Sequence, residues 1–371
     1  MYLHHLSLIN FKNLEEVDLQ LSPGINCFIG NNGVGKTNLM DAVYYLSFCK
    51  SFLNSIDYQN ITRGRDFFVI QGDYMRDEQE EHISCGLKNG EKKNFRRNRK
   101  LYRKLAEHIG LLPLVVVTPS DIELITGGSD GRRRFIDGLI SQYDAEYLVH
   151  LIRYNRALQQ RNKLLKQFEG QAVPYDMVEV WDEQMTLHGR VISERRIEFL
   201  RDFQPVFQTY YELISGGNEP TCMLFESPLL AGDFAGLLKA SYSKDLLLQH
   251  TTVGIHKDDV RFELDGFPIR KLGSEGQKKT YLVALKLAQF DFIRRQSGQS
   301  PILLLDDIFD KLDANRVRAI VQLVEDAHFG QIFITDTNRE HLDGIIREIT
   351  SAAKFFVVAA GTVKEVVHAQ N

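Results

Sequence analysis

Short apolar runs alternate along this chain with longer stretches in which apolar positions recur every three or four residues, and the order of the two patterns predicts its elements. Leu3 to Leu21 reads as two strands around a turn at Asn10-Phe11-Lys12-Asn13. Ile25-Asn26-Cys27-Phe28-Ile29 is a run with no polar face, as in a strand covered on both sides. From Asn38 to Leu46 the apolar residues take helical spacing. Phe67 to Asn98 predicts antiparallel strands, with Asn89-Gly90 as a hairpin signal. Leu111 to Val117 predicts a buried strand that stops at Thr118-Pro119. Beyond Thr126-Gly127-Gly128-Ser129-Asp130-Gly131 the pattern is helical for a long way. Leu139, Ile140, Tyr143, Tyr147, Leu148, Leu151 and Ile152 fall on one face, and Val178, Trp181, Met185, His188, Val191 and Ile192 on another. Pro205 and then Gly216-Gly217 punctuate that region. Strand character returns at Val260 to Leu264, before the turn signal Asp265-Gly266. The end predicts a helix from Lys278 to Arg295, a strand at Ile302 to Leu305, a helix across Val317 to Glu325 and a strand at Gln331 to Thr335.

A helical stretch thus interrupts an α/β and β framework. The expected organisation is one domain made of both chain ends, residues 1–127 and 251–371, with a mainly helical domain, residues 128–250, inserted between them. Composition adds little to this. The net charge of −4 advertises no general affinity for nucleic acid, so any such surface is local. The four cysteines, Cys27, Cys49, Cys85 and Cys222, lack paired spacing, which argues against a disulfide framework or a zinc site and for a reducing, cytoplasmic compartment. No basic segment followed by an apolar core opens the chain, and no apolar run approaches membrane-spanning length.

The chemistry is concentrated between the first buried strand and the first helix. Gly30-Asn31-Asn32-Gly33-Val34-Gly35-Lys36-Thr37 spells the phosphate-binding P-loop, G-x-x-x-x-G-K-T, in the strand–loop–helix context it requires. Glycines let successive N–H groups point at phosphate oxygens, and the helix N-terminus adds a favourable dipole. Lys36 is expected to reach the β- and γ-phosphates of ATP, and Thr37 to offer its hydroxyl to Mg²⁺. The strand ending in Asp306-Asp307 is a Walker B pattern, with Asp306 as the expected Mg²⁺ ligand through its water shell and Asp307 as the general base for the attacking water. Ser274-Glu275-Gly276-Gln277 opens the next-to-last helix. Ser274 there is either an ordinary N-cap or part of a motif that resembles the signature of the ABC-type ATPases. In that superfamily the motif clamps the γ-phosphate held by an opposing subunit, which implies roles for Ser274, Gly276 and Gln277. Asp310-Lys311-Leu312-Asp313 follows at the place of the D-loop, with Asp313 the matching acid, and Asp336 or Thr337 falls where the switch residue lies.

Within that superfamily the chain resembles the RecF family of bacterial recombination mediators over nearly its full length. The resemblance is carried by Leu8-Ile9-Asn10-Phe11-Lys12-Asn13, by the P-loop with its trailing Thr37-Asn38-Leu39, and by Thr118-Pro119-Ser120-Asp121-Ile122-Glu123-Leu124. It extends to Arg132-Arg133-Arg134-Phe135-Ile136-Asp137, Gly254-Ile255-His256-Lys257-Asp258-Asp259, Ala284-Leu285-Lys286-Leu287-Ala288 and the pair Asp306-Asp307. It implies an ABC-type, SMC-like ATPase head without a long coiled coil, with Lys12, Asn13 and Asn38 joining the nucleotide site. It also implies slow, Mg²⁺-dependent ATP hydrolysis, an ATP-dependent homodimer, binding to single-stranded and gapped duplex DNA, and work with RecO and RecR in loading RecA during DNA repair, replication restart and the SOS response. The alternative is a soluble ABC-type ATPase subunit of a transport or chromosome-organising complex. Ile255, Lys257 and Glu275 depart from the family's usual proline, arginine and glutamine. Lys12 in place of arginine keeps the charge and loses the planar fork.

A local basic stretch runs from Lys88 to Lys104, with Phe95 and Tyr102 interleaved and Glu91 as its single acid. It reads either as a DNA-backbone surface or as a solvated face, and Lys92, Lys93, Arg96, Arg97 and Arg99 are the expected DNA contacts. Arg132, Arg133 and Arg134 are open between phosphate, ATP, a partner subunit, and pairing with Asp137 or Glu123.

Overall fold

The structure, a computed structural model, describes residues 1–167, 174–217, 219–308, 330–337 and 353–366. In chain order the elements are β1 (Tyr2–Phe11), β2 (Leu14–Gln20), β3 (Ile25–Ile29), α1 (Lys36–Phe48), β4 (Phe67–Arg76), β5 (Gln79–Lys88), β6 (Asn94–Arg97), β7 (Lys100–Leu101) and β8 (Leu114–Val117). There follow α2 (Glu123–Thr126), α3 (Ser129–Ile140), α4 (Ala145–Gln167), α5 (Tyr175–Ser215), β9 (Thr221–Glu226), α6 (Phe234–Leu248), β10 (Asp259–Leu264), β11 (Phe267–Pro268), α7 (Ile269–Leu272) and α8 (Glu275–Ser297). The described strands β12 (Ile302–Asp306), β13 (Ile332–Asp336), β14 (Lys354–Ala359) and β15 (Thr362–Glu365) complete them. The expected helix at 317–325 and the D-loop residues around Asp313 lie outside the described residues.

The chain forms two compact units, one of residues 1–121, 213–215 and 283–371, the other of residues 122–212 and 216–282. These boundaries fall at 121/122 and 282/283, where the sequence suggested 127/128 and 250/251. The later second boundary has a hydrogen-bonding cause. β10 pairs antiparallel with β9 from Asp259↔Glu226 to Leu264↔Thr221, so this strand belongs with the helices that precede it.

The first unit contains two six-stranded sheets. One, in the order β2-β1-β4-β5-β6-β7, is antiparallel and closes by tight turns. The β4–β5 turn is Asp77-Glu78, with φ of 49° and 62°. Two left-handed residues suit the twist of a two-residue hairpin. Neither is Gly or Asn, so the sequence pointed instead to Asn89-Gly90, which lies between β5 and β6. The other sheet, β15-β14-β3-β13-β12-β8, is parallel apart from β15. Every residue of β3, β12 and β13 is buried, and Phe28 stacks between Phe333 and Phe356 at 6.1 and 4.9 Å. α1 touches strands of both sheets, so Leu39, Met40, Val43, Tyr45 and Leu46 are all buried and the helix has little polar face.

The second unit is mostly helical, with the three-stranded sheet β11-β10-β9. α5 runs for 41 residues, about 60 Å at the usual rise, and passes through Pro205, where the sequence suggested a break. Phe199, Phe203, Phe207 and Tyr211 recur every fourth residue on its buried side. Their ring contacts, from 4.9 Å for Phe199–Phe203 to 6.4 Å for Phe203–Phe207, offset the cost of one interior proline, about 3 kcal/mol. Among the described residues no helix is long and apolar enough to cross a membrane.

Candidate nucleotide site

The parallel sheet fixes the site by register. Thr335 of β13 lies beside Asp306 of β12 and beside Phe28 of β3, and Asp336 lies beside Ile29. The carboxyl ends of three neighbouring strands therefore coincide, which is where open α/β sheets place their ligands. Gly30 to Gly35 leave β3 there and enter α1. Gly33 and Gly35 have φ of 81° and 119°, and a Cβ on Gly35 would come within 2.7 Å of Asn13 Oδ1. The first helical hydrogen bond is Leu39 N–H to Gly35 O, 3.0 Å, so the N–H groups before it have no helical acceptor. No acid sits in the first turn of α1 to offset the positive dipole end.

Asn13 and Asn38 brace this loop from outside. Asn13 Nδ2 donates to Val34 O at 3.0 Å, and Asn38 Nδ2 donates to Asn13 Oδ1 at 2.7 Å. Lys36 is 3% exposed. Its ammonium donates to Gly30 O and Asn31 O at 2.9 and 3.3 Å and lies 3.8 Å from Asp307 Oδ1. The Thr37 hydroxyl is 3.0 and 3.1 Å from the two oxygens of Asp306. Burial pushes the Asp306 carboxyl above the usual range, against the hydrogen bonds from Thr335 and Thr37.

Thr335 was not singled out from the sequence, yet it ties the site together. Its hydroxyl donates to Asp306 Oδ1 at 2.8 Å and accepts the Asp307 backbone N–H at 2.9 Å. That bond holds Asp307 in a left-handed backbone conformation, φ 45°, with its carboxylate partly open to solvent. Only its place at the end of a fully buried strand beside Walker B could have marked it. A hydroxyl and a buried carboxylate are hard oxygen donors, a set that suits Mg²⁺ shared with phosphates. Among the described residues no group of three or more His, Cys, Asp or Glu could hold a metal ion without such help.

Lys12, next to Asn13 in sequence, is engaged by an acid of α1. Its ammonium pairs with Asp41 Oδ2 at 2.5 Å and lies 3.4 Å from Ser51 Oγ, with Asp41 fully buried. Burial lowers the Lys12 pKa and Asp41 opposes the shift. A buried ammonium needs a counter-charge, and Asp41, invisible as a partner in the sequence, supplies it.

In the second unit Ser274 and Gln277 form a reciprocal capping box. Gln277 N–H donates to Ser274 Oγ at 3.1 Å and Ser274 N–H donates to Gln277 Oε1 at 2.9 Å. The N-cap reading of Ser274 is thus realised. Gln277 Nε2 also donates to Glu219 at 2.8 Å. Ser274 and Glu275 are exposed, and a hydroxyl that accepts one N–H can still donate outward.

The basic stretch divides. Lys93 donates to Asp57 Oδ2 at 2.7 Å and to Cys49 O at 2.6 Å, and Arg97 forks onto Glu81. Both are engaged by acids of the same unit, so of the five expected DNA contacts these two already have partners. Phe95 is buried and packs on His108 at 4.8 Å, so it is core. Lys92, Arg96, Arg99, Lys100, Arg103 and Lys104 are exposed. The triple arginine also resolves. Arg132 forks onto Asp259 at 2.7 and 2.9 Å, while Arg133 donates to Asp258 O at 2.6 Å and pairs with Asp130. Neither uses Asp137 or Glu123.

Fold and site together define a P-loop ATPase head of the ABC type, as in SMC proteins. Residues 2–355 match the family described as RecF/RecN/SMC N terminal domain. The DNA replication and repair protein RecF of Phocaeicola vulgatus is 54% identical over 98% of each chain, and that of Bacteroides fragilis 53% identical over 98% of each. The chain belongs to the RecF family. The recombination mediator protein RecF-ATPrS in the RecFOR pathway is a structural neighbour, with a TM-score of 0.89 at 28% identity over 99% of this chain and 98% of that one. An Smc head bound to the C-winged helix domain of ScpA shares the fold, with a TM-score of 0.58 at 16% identity over 99% and 97%.

Proposed function

We propose that this protein is an ATP-dependent DNA-binding recombination mediator of the RecF type, acting in the cytoplasm as a slow, Mg²⁺-dependent ATPase. The observation that carries the reading is the joining of P-loop to Walker B: Thr37 and Thr335 converge on Asp306, and Lys36 lies beside Asp307. Relatives named DNA replication and repair protein RecF and the ATP-containing neighbour support it. In this reading the amides of residues 30–38 and Lys36 hold the triphosphate of ATP. Thr37 and Asp306 hold Mg²⁺, which supplies charge neutralisation when bound. Asp307 orients a water and accepts its proton. Ser274, Gly276 and Gln277 face the γ-phosphate of a second copy, so the site is completed only in a homodimer, with Asp313 from the same motif series. Lys92, Arg96 and Arg99 contact the DNA backbone at single-stranded gaps and adjoining duplex, and RecR, RecO and RecA are the partners. Asp307→Asn tests the core of this: ATP binding is retained and turnover falls about 100-fold or more. Unchanged turnover would remove hydrolysis at Walker B from the account.

A further inference from the structure

Two stretches singled out in the sequence have no part in the P-loop site, Arg132 to Asp137 and Gly254 to Asp259. They meet within the second unit around a cavity of about 370 Å³ whose polar lining includes Arg133, Arg134, Arg196, Asn155, Asp130 and His256. Its wall is held rigidly. Arg196, 2% exposed, donates to Asp137 at 2.8 and 3.0 Å, to Asp258 at 2.7 Å and to Ile255 O at 2.9 Å. His256 Nδ1 accepts from Tyr154 at 2.9 Å and Nε2 donates to Thr251 O at 3.1 Å. Both ring nitrogens are therefore used, and burial, which pushes the His256 pKa down to about 4, keeps the ring neutral.

Such a buried ionic framework contributes little stability over apolar packing of the same volume. What it supplies is donors in fixed places. Arg134 stands apart from it: exposed, with only Nε engaged, at 3.3 Å from Asp130 O. Its two terminal nitrogens are left for a ligand, in the fork geometry that matches phosphate. Asn155 offers an exposed amide on the same cavity, and the side chain of Asp130 is 82% exposed, able to accept from an amino or hydroxyl group. The volume is in the range of small-ligand pockets. A half-open cleft of this volume holds about one nucleotide, whereas a continuous strand needs a longer surface to run along.

We infer that this cavity is a second phosphate-ligand site, sized for one nucleotide, in which Arg134 and Asn155 hold the phosphate and Asp130 accepts from the sugar or base. The nucleotide is either free or the 5′-phosphorylated end of a DNA strand. The test uses the full chain with its P-loop loaded with ATP and Mg²⁺ and the unbound ATP removed before the probe is added. Equilibrium dialysis with labelled dAMP, against labelled deoxyadenosine, reads the free nucleotide. Anisotropy of a 3′-fluorescein single strand, with and without a 5′-phosphate, reads the strand end. In at least one arm a phosphate-dependent gain is expected, reduced about tenfold or more by Arg134→Ala and by Asn155→Ala and partly recovered with Arg134→Lys. Both side chains are exposed, so these variants fold. A gain in neither arm, as an acidic protein partner would produce, or a gain that survives both alanine variants overturns the inference.

Discussion

Thr335→Val removes one oxygen and almost no volume. In the native chain that oxygen donates to Asp306 at 2.8 Å and accepts the Asp307 N–H at 2.9 Å. Valine leaves the Asp307 N–H without its acceptor and takes from Asp306, 4% exposed, one of the hydrogen bonds that oppose its burial. An orphaned, partly buried donor costs about 1–3 kcal/mol. The Asp306 carboxyl, already raised by burial, moves further up. The second consequence is kinetic. Asp307 keeps its left-handed φ of 45° partly through this bond, so its carboxylate loses orientation while the P-loop amides are untouched. Turnover is therefore expected to fall about tenfold to 100-fold, with a much smaller change in ATP affinity. Urea unfolding reads the first effect, and steady-state hydrolysis alongside ATP titration reads the second. Thr335→Ser keeps the hydroxyl and is expected to stay near the native values. Unchanged stability and turnover in Thr335→Val, or equal losses in the serine variant, would show that this hydroxyl does not organise the two Walker B acids.

Neutralising Lys92, Arg96 and Arg99 together should weaken DNA binding and flatten the plot of log affinity against log salt by about two to three units. Lys93→Met should instead cost about 1–3 kcal/mol of stability, because Asp57 and Cys49 O lose their ammonium partner, and an unaltered salt slope in the first variant would remove the patch from the DNA surface. His108, fully buried, donates to Leu46 O at 2.6 Å, and burial pushes its pKa down to about 4. Below about pH 6.5 the unfolded chain takes up a proton that the folded chain refuses, so stability should fall by up to about 3 kcal/mol as pH drops from 6.5 to 4. His108→Gln should flatten that slope in urea titrations, and an identical slope would assign the acid sensitivity to other groups.

The P-loop, both Walker acids and the strands that carry them were legible because each is a local pattern: a loop of fixed spacing, or a short run buried on both faces. The same holds for the N-cap at Ser274, though not for its reciprocal bond with Gln277. What stayed hidden depends on contacts far apart in sequence. Asp41 and Asp57 are ordinary acids until the fold brings Lys12 and Lys93 onto them. Arg97 looks like any member of a basic run until Glu81 meets it across β5 and β6. Pro205 signals a break that an aromatic ladder overrides, and the Asp77-Glu78 turn takes left-handed angles with residues that do not advertise them. The β9–β10 pairing that shifts a unit boundary was equally invisible, because antiparallel partners 33 or more residues apart leave no local period.

In the proposed mechanism one copy's P-loop and another copy's Ser274 helix close on the same nucleotide. This closure is tested most directly by mixing Asn32→Cys protein with Gly276→Cys protein, both with Cys222→Ser to remove the one native thiol that is not buried. A short bismaleimide should link the two chains when ATP and Mg²⁺ are supplied and leave them separate without nucleotide. Chains that bind ATP yet never cross-link would contradict the account.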